Sequence, residues 1–324
     1  MIVGTTVQHS NISPTSNESI QAIGMNIPGR LNDFKKFAWF DFTHTGSDNM
    51  TLADPATLSF GQNKINTIKN KFYHLTSSVD AQSTAEGNKG PNWDHTPGQD
   101  DYYYAQCTRT SSEYLSYDHL RFKNPTSFIT NNFTATVIFD SNLDSSNNDL
   151  DDDEVFFRIA GSSGAFLQIG FHKGSASSTL GDTFLLWYHD ASNQNHYAWK
   201  KSDIVENHTG GDQNVNFNWI TFSIVNGTPS MYLRGVPISL TIADTFPYGL
   251  LLEGMTSHLF INDSDPNLSS DPSIYDTLGS KVYEIMIFNE GLSVNSLKNI
   301  DMYVKEKYKS YQYGWVNGYE REEY

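Results

Sequence analysis

The chain has 324 residues, 38% hydrophobic and 14% aromatic, with 21 basic against 37 acidic side chains for a formal charge of −16. That length suits one β domain with flanking segments, and aromatic rings must supply much of its buried area. So acidic a chain lacks the basic face that nucleic-acid phosphates or anionic lipid demand, which argues against both as partners.

Cys107 is the single cysteine, so no intrachain disulfide can form and packing must hold the fold. The start, Met1-Ile2-Val3-Gly4, has no basic residue followed by an apolar run, so no secretory signal is read there. No stretch approaches the roughly 18 apolar residues of a membrane span. The expectation is synthesis in a cytoplasm.

Residues 1–32 are rich in Ser, Asn and Thr, with Pro14, Pro28 and Gly29. Such a segment buries too little apolar surface to offset its ordering entropy, and it is expected to be an extended arm held by a neighbouring subunit. Phe37 to Phe42 opens the main domain, expected over residues 33–310. Residues 43–66 are polar and turn-rich, Lys69 to Leu75 suits a strand, and 76–101 suits a long loop. Tyr102 to Cys107 is extended, and Ser127-Phe128-Ile129 precedes a clearer strand, Phe133 to Phe139. Short strands follow at Val155, Phe166, Thr183 and His196, about 10 to 17 residues apart with Gly, Ser and Asn between them, the spacing of an antiparallel sandwich.

Ile220, Phe222 and Ile224 alternate with Thr221 and Ser223, the period of a half-buried strand. Asn226-Gly227 turns it back, with Thr228-Pro229-Ser230 read as part of the turn and Met231 starting the return. Leu250 to Leu252 and Leu259 to Ile261 are strands, and Lys281 to Phe288 is the last. Ser293 then caps a helix over about 293–309, with Leu297, Ile300, Val304 and Tyr308 on one face. Lys305, Lys307 and Lys309 suit its C-terminal dipole. Residues 311–324 are a tail.

Three of these stretches, in order, resemble one family. The strand led by Trp219, its Asn226-Gly227 turn and the return Met231-Tyr232-Leu233-Arg234-Gly235 are similar to the hairpin of laminin-G-like, concanavalin A-like jelly rolls. Arg234 stands where that family carries Asn. Val282 to Ser293 resembles the closing strand, with an acidic residue, Glu284, ahead of the hydrophobics and an Asn-x-x-Leu-Ser entry to a helix. Phe37 to Phe42 resembles the opening strand. The resemblance implies an all-β fold: two facing antiparallel sheets in a concanavalin A-like β-sandwich, here with one C-terminal helix and extended terminal arms. It also implies sugar binding on the concave face or rim loops, and such sandwiches recur in virion and phage structural proteins.

Glycosidases of this architecture place carboxylates as Glu-x-Asp-x-x-Glu on one strand, a spacing this sequence lacks. Asp151 to Glu154 is contiguous and alternates faces. Asp140, Asn142, Asp144, Ser146 and Asn148 alternate as calcium ligands do, but Ser145 and Asp151 stand where a calcium loop needs Gly and Glu. A solvated loop is therefore the simpler reading, there and at Asp263, Asp265 and Asn267. No cofactor is expected apart from this calcium option. His172, His189 and His196 lack zinc spacing. Among aromatic clusters, Trp187, Tyr188 and Asp190 are the candidate glycan contacts, a ring face beside a hydroxyl acceptor, with Tyr197 and Trp199 nearby.

The function read from these features is a non-enzymatic structural protein of a virus or phage particle: a capsid decoration or minor capsid protein, or a tail or fibre component. It would assemble with other virion subunits through its arms and bind surface glycan. A lectin-like module, extracellular if not in a virion, is the alternative, and a glycoside hydrolase or lyase the third.

Overall fold

The computed structural model of the chain describes residues 36–46, 49–53, 64–71, 81–82, 92–95, 103–106, 121–122, 126–130, 132–140, 154–160, 165–172, 183–190, 192, 194–201, 217–242, 246–247, 250–255, 258–261 and 281–308. The strands are β1 (Lys36–Asp41), β2 (Met50–Leu52), β3 (Ile65–Ile68), β4 (Ala81–Gln82), β5 (Asn92–His95), β6 (Tyr103–Gln106), β7 (Arg121–Phe122), β8 (Thr126–Thr130), β9 (Asn132–Asp140) and β10 (Glu154–Ala160). They continue with β11 (Phe166–His172), β12 (Thr183–His189), β13 (Asn195–Lys201), β14 (Phe217–Val225), β15 (Thr228–Leu233), β16 (Val236–Ile238), β17 (Thr241–Ile242), β18 (Leu250–Met255), β19 (His258–Ile261) and β20 (Lys281–Phe288). One helix, α1 (Val294–Tyr308), follows β20.

The architecture is the antiparallel β-sandwich that the sequence leads one to expect, with one helix among the described residues. An eight-stranded sheet runs β16-β15-β14-β9-β20-β6-β5, with β1 also on β20, and a six-stranded sheet runs β17-β13-β12-β11-β10-β19. Phe133, Val137, Phe139, Ile220, Phe222, Ile285 and Ile287 from the first meet Phe156, Leu167, Ile169, Phe184, Leu186 and Tyr188 from the second in one buried core. Phe139 and Phe156 close to 4.4 Å between ring centroids across it. Each such side chain contributes about 1.5–3 kcal/mol on burial.

A second cluster lies on the far side of the eight-stranded sheet, where Leu297, Ile300, Tyr303, Val304 and Tyr308 of α1 cover Trp39, Ile138, Trp219, Met286 and Phe288. β20 is therefore buried on both faces. Its pairing with β9 shifts register between Val282 and Glu284. That bulge sends both Tyr283 and Glu284 to the helix side, while Val282 and Ile285 join the sandwich core. β14 departs from the half-buried expectation for the same reason: Thr221 and Ser223 are buried too. They bond Thr136 (2.7 Å) and Thr134 (2.9 Å) of β9, and Thr134 accepts the Leu292 amide hydrogen just ahead of α1.

Local chemistry sets the ends of these elements. Asn226 and Gly227 both take positive φ (49° and 76°), a two-residue turn whose twist suits a hairpin. Thr228 is thus already paired with Val225, and Pro229 with Ile224. Pro229 was expected in the turn; β15 tolerates it because β16 joins only from Met231 onward, leaving an edge at Pro229. Arg234 and Gly235 repeat the positive-φ pair (52° and 76°), so Arg234 adopts the conformation that Asn would tolerate more readily. Ser293 caps α1 by accepting the Ser296 amide hydrogen at 3.2 Å.

Of the strand expected over Lys69 to Leu75, residues 69–71 are not strand, the Lys69 and Lys71 amides donating to the Asn49 and Trp39 carbonyls, and residues 72–75 lie outside the described residues. The stretches expected to be loops, 43–66 and 76–101, contain β2, β4 and β5. Residues 1–32 and 311–324 lie outside the described residues. Among described residues, no helix is long and apolar enough to cross a membrane.

Candidate functional site

The six-stranded sheet turns one side of each strand into the core and the other away from it. Alternation on β11 sends Leu167 and Ile169 inward and Phe166 and Gln168 outward; on β12 it sends Leu186 and Tyr188 inward and Trp187 and His189 outward. The ladder then lines the outward side chains up across strands. Arg158 pairs with Gln168, Gln168 with Trp187, and Trp187 with Tyr197. In the next row Ala160, Phe166, His189 and Asn195 are successive partners.

The result is a continuous aromatic band. Phe166 meets Trp187 edge-on at 4.6 Å and stacks on His189 at 5.1 Å, and the Trp187 and Tyr197 rings lie 5.5 Å apart, tilted by 32°. Arg158 and Gln168 close one end: the guanidinium donates through Nε (2.7 Å) and Nη2 to the Gln168 amide oxygen. It also sits 4.3 Å over the Phe166 ring and 5.8 Å from that of Trp187, within cation–π range. Arg158, Phe166 and Gln168 are buried, Trp187, His189 and Tyr197 are half-buried, and Asn195 is exposed. The band thus opens toward β13.

Asn195 fixes the open end. Trp187 Nε1 can only donate, so the atom it meets at 2.9 Å is the amide oxygen. That oxygen also meets His189 Nδ1 at 2.8 Å, so Nδ1 carries the hydrogen. Both contacts use the oxygen and leave the Nδ2 hydrogens out of them. Asp190 builds the turn that presents Asn195. Its Oδ1 accepts the Ser192 and Gln194 amide hydrogens at 2.8 and 2.9 Å, and its Oδ2 lies 3.5 Å from His196 Nε2. Slight burial raises the Asp190 carboxyl, but the Gln194 and Ser192 amides outweigh it and hold it below the usual value of 3.8. Ordered rings beside an amide can stack on the C–H face of a pyranose and donate to its hydroxyls.

The sequence-read glycan residues therefore separate. Trp187 belongs to the band, Asp190 shapes its rim, and Tyr188 is buried in the core, stacked near His196 at 5.8 Å. Arg158, Phe166, Gln168, His189 and Asn195 join Trp187 through strand pairing, and their signal in sequence was the alternation in β11 and β13. Of the calcium candidates, Asp140 ends β9, with its side chain outside the described set; Asn142 and Asp144 lie outside the described residues, as do Asp263, Asp265 and Asn267. Among described residues no group of three or more His, Cys, Asp or Glu side chains is placed to hold a metal ion.

A second polar constellation lies beneath α1. Asp41 and Glu284 are cross-strand partners on β1 and β20, and both are fully buried. Lys307 reaches in from the helix, 3.0 Å from Asp41 Oδ2 and 2.6 Å from Glu284 Oε1. Trp39 Nε1 (2.7 Å) and the hydroxyls of Tyr303 and Tyr308 also donate to Glu284. Asp41 Oδ1 accepts from the Thr43 amide (3.0 Å) and hydroxyl (2.6 Å). Burial would raise the Asp41 carboxyl, but the charges of Lys307, His44 and Lys71 hold it well below its usual range. Burial pushes the Glu284 carboxyl up against the pull of Lys307. Burial would lower the Lys307 ammonium, and the two carboxylates more than reverse this. Lys307, read from sequence as a dipole-facing cation, lies in the last turn of α1 and also faces a buried carboxylate on each of two strands.

No protein-family model matches the chain, and no curated protein does. Solved structures do. The binding domain of botulinum neurotoxin DC, in complex with rat synaptotagmin II, matches with a TM-score of 0.44 at 10% identity over 84% of this chain and 52% of that one. The receptor-binding domain of botulinum neurotoxin type G matches at 0.38 and 12% identity over 81% and 51%. Domains LG4-5 of the mouse laminin alpha1 chain match at 0.35 and 7% identity over 53% and 41%. The chain thus spans about half or less of the length of each of these structures.

Proposed function

We propose that the chain is a non-enzymatic binding domain that takes a glycan on the outward face of its six-stranded sheet. The observation that carries this reading is the Trp187–Tyr197 ring pair, half-buried, held in place by Asn195 and opening beside it. The non-enzymatic part is supported by the sequence, which lacks the Glu-x-Asp-x-x-Glu carboxylate spacing of glycosidases on this architecture. A printed glycan array tests the reading: the wild-type chain retains a defined set of glycans, and an array without retained glycan overturns it.

The setting we propose is a virus or phage particle, with residues 1–32 and 311–324 joining the sandwich to neighbouring subunits. Its support is composition: those segments are too polar to fold on their own. Light scattering tests it. The full chain is expected to associate and a chain lacking residues 1–32 to be monomeric; a strictly monomeric full chain contradicts it.

A further inference from the structure

The Asp41–Glu284–Lys307 cluster is built more elaborately than an ion pair requires. Lys307 Nζ lies 3.0 Å from Asp41 Oδ2, with both side chains buried. The other oxygen of Asp41, Oδ1, is held by two donors on one residue, the amide and hydroxyl of Thr43. Such a pair is what stabilises an oxyanion as a carbonyl carbon becomes tetrahedral. Glu284 Oε1 is 2.6 Å from the same Nζ, and Trp39 and Tyr303 fix its orientation. It is placed to accept and return protons. His44 Nδ1 stands 3.6 Å from Asp41 Oδ2.

We propose that Lys307 and Asp41 condense within the folded chain to an amide, Nζ to Cγ, that locks α1 to β1. Glu284 passes one ammonium proton to Oδ2, so that a neutral amine faces a carboxylic acid; the Nζ lone pair then bonds to Cγ, and the Cγ–Oδ1 π pair moves to Oδ1 against the Thr43 donors. The pair returns to reform the carbonyl as the Cγ–Oδ2 bond breaks. Of the three ammonium hydrogens, one stays on the amide nitrogen and two leave with Oδ2 as water. Glu284 carries these two from nitrogen to oxygen and ends as it began. No oxidant, reductant or external proton is needed.

Two physical factors favour the step. Folding has already fixed the reacting groups in contact, which supplies the large effective concentration of an intramolecular reaction. Condensation also removes one positive and one negative charge from a site where both are desolvated. A single turnover per molecule is sufficient, so the step need not be fast.

Intact mass spectrometry of the full-length chain tests this. The folded wild type is expected one water lighter than its sequence mass. Trypsin is expected to release a branched peptide joining residues 37–64 to residues 306–309, with Lys307 uncleaved. Lys307→Ala is expected at full sequence mass. Glu284→Gln, checked as folded by circular dichroism, is expected to stay at full mass or to lose water far more slowly. A folded wild type that holds its full sequence mass after days at room temperature overturns the proposal. A dehydrated chain whose branched peptide does not contain Asp41 overturns it as well.

Discussion

Trp187 and Tyr188 are neighbours in sequence and opposites in role: one turns to the open face of β12, the other into the core. Asp190 is the residue on which the rim of the site turns. Its carboxylate closes the segment 190–195 that carries Asn195, and Asn195 holds the Trp187 indole. Because the folded-state carboxyl lies below 3.8, the stability it contributes is complete above that value and is lost as pH falls through the folded value. The part of any change in tryptophan emission that Asp190 causes is therefore expected below about pH 4. Asp190→Asn keeps the Oδ1 acceptor and is expected to flatten that change; an identical acid transition in both proteins contradicts the role. At this scale the sequence showed an aromatic beside a carboxylate but not the companions Arg158, Gln168 and Asn195. Those arrive on other strands by cross-strand register, which a single strand does not encode.

At the scale of elements, chemistry that acts over a few residues was readable and long-range pairing was not. β20 begins and ends where its apolar run does, α1 begins one residue after its Ser293 cap, and Asn226-Gly227 turns where its φ preferences dictate. β4 and β5 were missed because two to four residues are too few to carry a period; they are strands because β3 and β6 pair with them. Two substitutions test these local causes. Ser293→Ala removes the acceptor for the Ser296 amide and is expected to cost about 1 kcal/mol in urea unfolding. Gly235→Ala places a Cβ at positive φ, 2.8 Å from the Asp301 side chain of α1. It is expected to cost about 1–2 kcal/mol for the backbone conformation, with further loss from the clash. A neutral result at either position would contradict the local account.

Among the described residues two smaller sheets, β18-β8 and β2-β3-β4-β7, accompany three layers: helix, eight-stranded sheet and six-stranded sheet. The two larger sheets were legible from strand spacing and from the family resemblance. The burial of the helix against the outer sheet face was visible only as an apolar stripe, with no sign of what it covers. Lys307 shows why: its partners Asp41 and Glu284 lie 266 and 23 residues away, beyond any spacing rule. Lys307→Ala leaves two buried carboxylates facing each other and is expected to cost about 3–5 kcal/mol of global stability, measured by denaturant midpoint. A loss under about 1 kcal/mol would show that the cluster does not tie the helix to the sandwich.

The outward face of the six-stranded sheet remains the centre of the functional account, and one measurement addresses it most directly. A glycan retained on the array is titrated calorimetrically into the wild type, Trp187→Ala and Trp93→Ala. Trp93 is a suitable control because it stacks on Tyr103 at 3.9 Å at the edge of the other sheet. Trp187→Ala is expected to weaken binding about tenfold or more, a change of about 1.4 kcal/mol, while Trp93→Ala binds as the wild type does. Undiminished affinity in Trp187→Ala, or a loss confined to Trp93→Ala, would contradict the assignment of the site.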